Sequence, residues 1–79
     1  MPDVVTEFSR CLGIMSHCRA GWDYQLSKAQ RAEEDRQERD ALTRARAIWA
    51  ENPALHAALR DAFVAARPLA TMYEIEVSQ

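Results

Sequence analysis

"AQRAEEDRQERDALTRARAIWA", residues 29–50, decides how the chain is organised. It holds no glycine or proline, its one β-branched residue before Ile48 is Thr43, and most of its other residues are good helix formers. Local propensity therefore predicts one continuous helix. The flanking sequence offers two starts, Asp23 as an N-cap or a capping box in which Ser27 is followed three residues later by Gln30. Bounded at residues 24 and 51, such a helix is about 38 Å long or more. Its apolar side chains gather at the two ends: Trp22, Tyr24 and Leu26, then Leu42, Ala45, Ile48 and Trp49.

Between those ends lie eight consecutive polar or charged residues, Glu33 to Asp40. Asp35 with Arg39, and Asp40 with Arg44, stand four apart with the acid N-terminal, an orientation that adds a few tenths of a kcal/mol per pair to a solvated helix. The polar centre can thus stay helical in water. Two roles suit it: a solvated spacer between packed ends, or a charged docking surface for a macromolecular partner. A loop dividing two shorter helices is the third reading. On the docking reading the contact residues are Glu33, Glu34, Arg36, Arg39, Asp40, Arg44 and Arg46.

Upstream, Val4, Phe8, Cys11, Leu12, Met15 and Cys18 fall within an arc of about 120° on a helical wheel. This predicts an amphipathic helix over 4–19, with Asp3 as N-cap and Gly21 as a left-handed stop. Downstream, Asn52-Pro53 reads as an N-cap followed by proline at the first helical position. Leu55, Leu59, Ala62, Phe63 and Ala66 then share one face, predicting a helix over 53–67 that Pro68 ends. In "TMYEIEVSQ", Tyr73, Ile75 and Val77 alternate with Glu74 and Glu76, the period of a half-buried strand or extended tail.

The fold class that follows is mainly α: a three-helix arrangement with a long central helix and an extended or short β C-terminal segment, in one domain over 1–79. The expected core is Phe8, Leu12, Met15, Trp22, Leu42, Ile48, Trp49, Leu55, Leu59 and Phe63. A core this small gives modest stability, which a shared interface would augment.

Composition narrows the function. The net charge is −2 and the pI about 5.6, which opposes binding to nucleic acid by bulk electrostatics. The N-terminal "MPDVVTEFSR" has neither a basic start nor a continuous apolar run, so the expectation is a cytoplasmic protein without a membrane span. Cys11 and Cys18, on one helix, would sit about 10 Å apart, beyond disulfide reach, and read as reduced buried thiols. The C-x6-C spacing fits zinc poorly, and His17 points away from both cysteines on the wheel. Cys18 with His17 or His56 as base lacks the surroundings of an activated nucleophile. No catalytic residue, metal or cofactor is expected. The Asn52-Pro53 corner superficially suggests helix-turn-helix, but the following helix begins "PALHAA", which offers almost nothing to base edges. The arginines of the central helix are interleaved with Glu33, Glu34, Asp35, Glu38 and Asp40, so no phosphate-tracking stripe forms.

Two classes of function lead: a non-enzymatic binding module or inhibitor docking on a protein partner, and a structural homo-oligomer such as a homodimer. A small nucleic-acid-associated regulator is a further alternative. Nine arginines against one lysine, with fourteen alanines, match the bias of a GC-rich bacterial or phage genome. With "AEEDRQERDALTRAR" as its contact surface, the chain resembles small phage and mobile-element accessory proteins of the anti-CRISPR inhibitor type. The resemblance implies a stoichiometric inhibitor that binds an effector complex or nuclease, and it assigns no residue roles.

Overall fold

A computed structural model describes residues 3–20 and 26–76. Four α-helices follow in order: α1 (Val4–Arg19), α2 (Lys28–Glu51), α3 (His56–Ala66) and α4 (Met72–Glu76), with a 3-10 turn over Pro53–Leu55 ahead of α3. The mainly helical expectation stands. Gly21, Trp22 and Tyr24, invoked above as helix stop and apolar anchors, lie outside the described residues.

The bounds of α1 are those its periodicity predicts. Asp3 caps it, its carboxylate accepting from the Val5 N–H at 3.3 Å, and Arg19 places a cationic side chain at the negative end of the helix dipole. The start of α2 is settled by the capping box. Gln30 N–H donates to Ser27 Oγ at 3.1 Å, and Ser27 N–H donates back to Gln30 Oε1 at 2.9 Å. Leu26 and Ser27 therefore precede the helix, a correction to a start at residue 24.

Two ion pairs fix α1 antiparallel to α2. Glu7, near the start of α1, meets Arg44 late in α2 at 2.7 Å, and Arg19, at the end of α1, meets Glu38 at 2.6 Å. Phe8, Cys11, Leu12 and Met15 of α1 are buried against Ala41, Ala45, Ile48 and Trp49 of α2, with Leu59 of α3 and Ile75 of α4 completing the core. Leu42 and Phe63 are half-buried at its margin.

Asn52 behaves differently from its expected role. Its side-chain Nδ2–H donates back to Ile48 O at 2.8 Å, so it closes α2 rather than capping α3, whose N-cap has no side-chain hydrogen bond. Pro53 then starts a 3-10 turn. At three residues per turn, that segment takes Leu55 out of register with Leu59 and leaves it 36% exposed, so Leu55 is not a core residue. The corner is held by His56, whose Nε2–H donates to Trp49 O at 2.7 Å while its ring stacks on the Trp49 indole at 3.5 Å between centroids. The Arg60 guanidinium lies 5.3 Å from the indole centroid, within cation–π range. At the far end of α3, Arg67 adopts the left-handed conformation, φ 48° and ψ 53°, and its N–H donates to Phe63 O before Pro68 blocks further helix.

The extended C-terminal segment is replaced by α4, and no strand is present among the described residues. A second capping box explains the change: Thr71 N–H donates to Glu74 Oε2 at 2.8 Å and Glu74 N–H donates to Thr71 Oγ1 at 3.3 Å. Of the alternating residues, Ile75 is buried, while Tyr73 is 75% exposed and Val77 lies outside the described residues. Ile75, with Met72 half-buried at the margin of the core, anchors this single helical turn.

The helices converge on Arg19. Its guanidinium donates to Glu38, to both carboxylate oxygens of Glu74 (2.8 and 3.1 Å) and to Leu69 O at 2.9 Å, joining α1, α2, α4 and the preceding loop. Hydrogen bonding to Arg19 holds the Glu74 carboxyl below its ordinary value of 4.5. The folded state thus binds a proton there less readily than the unfolded chain does. That stabilisation is complete above the unfolded value and is lost as pH falls through the lower folded value. Urea midpoints measured across the acid range should fall in that window, and Glu74→Gln should flatten the fall. Arg67→Gly should raise stability by about 0.5–1 kcal/mol, since glycine meets the left-handed φ without steric cost; a thermal melt of the variant checks it.

Candidate functional site

The feature that the core does not account for is the N-terminal half of α2. From Lys28 to Asp40 no side chain is buried, and only Glu34 and Glu38 are half-buried. The capping box at Ser27 and the Arg19–Glu38 pair hold this stretch helical beside the last turns of α1.

The seven residues expected at a docking surface divide into two groups. Glu33, Glu34, Arg36, Arg39 and Asp40 sit on the solvent-facing half. Glu33 is engaged by Arg36 and by Gln37 Nε2–H at 3.0 Å, which holds its carboxyl below the usual value, the Arg36 hydrogen bond contributing most. Glu34, Arg39 and Asp40 have no side-chain hydrogen bond or ion pair among the described residues. Arg44 and Arg46, by contrast, are fold residues. Arg44 reaches across to Glu7 at 2.7 and 3.1 Å, and Arg46 Nε–H donates to Glu74 O at 2.7 Å. The expected pairs Asp35–Arg39 and Asp40–Arg44 do not form. Arg44 is drawn instead to a carboxylate on a neighbouring helix, and the local pair that does form is Glu33–Arg36, three apart.

Open hollows lie on two sides of α2. On one side, adjoining hollows of about 380 and 300 Å³ meet at Gln37; Ile14, His17 and the edge of Cys11 form their α1 wall, and Ala29, Glu33, Glu34, Asp40, Ala41 and Arg44 line α2. On the other, a hollow of about 330 Å³ is lined by Asp35, Glu38, Arg39 and Leu42. The candidate contact residues thus face both sides of one helix: Glu33, Glu34 and Asp40 toward the first groove, Arg39 toward the second.

The chemistry-bearing side chains are not assembled. Cys11 is buried and Cys18 half-buried, both as free thiols. Burial raises both thiol pKa values above the ordinary 9.0, and the carboxylates of Glu34, Glu38 and Asp35 raise that of Cys18 further. Such thiols are poor nucleophiles at neutral pH. His56 is committed to the Trp49 stack. Among the described residues no three His, Cys, Asp or Glu side chains are placed to hold a metal ion, and no helix is long and apolar enough to cross a membrane. Arg19, Glu38 and Glu74, which organise the surface around α2, were not singled out in the sequence; the Thr71-to-Glu74 spacing was the one signal that pointed at Glu74.

Both thiols should alkylate slowly at neutral pH, Cys18 faster than Cys11 because it is the more exposed, and the Cys18 rate should climb as pH passes above 9.0. Site-resolved mass spectrometry after timed iodoacetamide treatment reads this. In comparisons with protein-family models, with curated proteins and with solved structures, the chain finds no match.

Proposed function

We propose that the chain is a non-enzymatic protein-binding module that docks on a larger protein through the solvent-facing half of α2. The observation that carries this reading is the contrast within one helix. The C-terminal half of α2 supplies four core residues, Ala41, Ala45, Ile48 and Trp49, whereas the half from Lys28 to Asp40 supplies none. That half is nonetheless capped and braced, and among the described residues Glu34, Arg39 and Asp40 make no side-chain hydrogen bond or ion pair. In keeping with the resemblance to small anti-CRISPR inhibitors, the module acts by stoichiometric occupation of a bacterial defence complex, with no cofactor.

The test compares wild type with Arg36→Glu/Arg39→Glu in capture of partners from a bacterial host lysate. Arg44 and Arg46 are left intact because their loss would disturb the fold through Glu7 and Glu74. Surface changes of this kind alter stability by about 0.5 kcal/mol or less, so circular-dichroism melts should coincide while recovery of the captured complex drops about tenfold. Equal recovery by the two proteins would refute the docking surface. A homo-oligomer is the second reading, favoured by Val64, Leu69 and Tyr73, which are 72%, 52% and 75% exposed. It takes over if the protein recovers only itself and its mass rises with concentration.

A further inference from the structure

We infer that the groove on the α1/α2 flank facing away from α3 and α4 is the seat of a partner protein's basic amphipathic helix. The inference rests on the protein-binding reading and names the chemistry of its partner. The α1/α2 hairpin is covered on one flank only. There Ser16 Oγ accepts from Leu69 N–H at 2.9 Å, Arg19 grips Leu69 O and Glu74, and Arg46 grips Glu74 O. The opposite flank, where Ile14 faces Gln37 and Ala41, has no such cover among the described residues.

Its dimensions suit a helix. Along α2 the groove runs from Gln30 to Arg44, about 21 Å of helical rise, or four turns of a third helix laid alongside. Ala29 and Ala41 keep the α2 wall low, and Ile14 is 36% exposed at the α1 wall. The Glu7–Arg44 pair marks one end. A ridge of apolar side chains spaced three and four apart fits such a trough.

Charge chooses the kind of helix. Arg44 is taken up by Glu7 and Glu33 by Arg36, while Glu34 in one hollow and Asp40 in the other form no ion pair among the described residues. They stand six residues apart, about 9 Å along the axis. Lysine or arginine flanking the apolar ridge of the incoming helix meets both carboxylates, whereas a phosphate backbone is repelled by them.

The test uses the full chain labelled with nitrogen-15 and a synthetic helical peptide carrying leucines at three- and four-residue spacing flanked by lysines. A control peptide has glutamate for lysine. The lysine peptide should shift the amide signals of Cys11, Ile14, Gln37 and Ala41, and the glutamate peptide should leave them in place. Glu34→Gln/Asp40→Asn should weaken the lysine peptide about fivefold, as expected for two exposed charge pairs. Ile14→Arg should abolish its binding with an unchanged melting curve. Equal binding of the two peptides, the same shifts produced by a short DNA duplex, or no shifts at all would overturn the inference. Shifts confined to Asp35, Arg39 and Leu42 would overturn it while leaving the protein-binding reading intact. That reading stands or falls on the separate capture by the Arg36 and Arg39 variants.

Discussion

The guanidinium of Arg19 is the constraint on which the arrangement of helices depends. It is three-quarters withdrawn from solvent, and it spends its donors on Glu38 of α2, Glu74 of α4 and the carbonyl of Leu69. A planar, permanently charged fork can satisfy two carboxylates and a carbonyl at once, where a lysine would serve as a single point charge. Because Glu74 is itself shared with Thr71, the same carboxylate that binds Arg19 also nucleates α4 and thereby delivers Ile75 to the core. The core gains one aliphatic side chain, and polar bonds set where it goes.

Much of this was legible in the sequence and the remainder was not, for reasons that can be assigned. The bounds of α1 followed from an unbroken apolar stripe and an Asp cap, both local signals. The continuity and end of α2 followed from propensity, but its start was set too early, at 24, because Asp23 and the Ser27–Gln30 box both read as starts and only the second caps the helix. The tail misled because Tyr73, Ile75 and Val77 alternate, and a five-residue pattern cannot separate a strand from a helical turn of which one residue is buried. The Thr71 and Glu74 capping signal was present and outweighs the alternation. Leu55 misled because periodicity assumes a regular helix from Pro53 onward, and the 3-10 turn shifts the register.

The candidate site was legible as a stretch but not as a surface. Composition shows that residues 33–40 cannot be core; it does not show which of their charges are already spent. Arg44 and Arg46 belong to the same basic run as Arg36 and Arg39, yet their partners, Glu7 and the carbonyl of Glu74, lie 37 and 28 residues away in the chain. Pairings at that separation are set by tertiary packing. Only with them in hand does the outward-facing set reduce to a few groups on two flanks of one helix, with Glu34 and Asp40 to one side and Arg39 to the other.

The corner between α2 and α3 also bears on the order in which the chain assembles. His56 finds Trp49 across seven residues, a loop whose closure is cheap and fast, whereas Arg19 must find Glu74 across fifty-five. Loop-closure entropy therefore ranks the two events. The aromatic stack and the turn it locks can form while the chain is still largely open, and the docking of α4 comes late, after α1 and α2 have already met. A chain organised this way has an early hinge at its middle and a late clasp near its end, so local opening begins at the clasp.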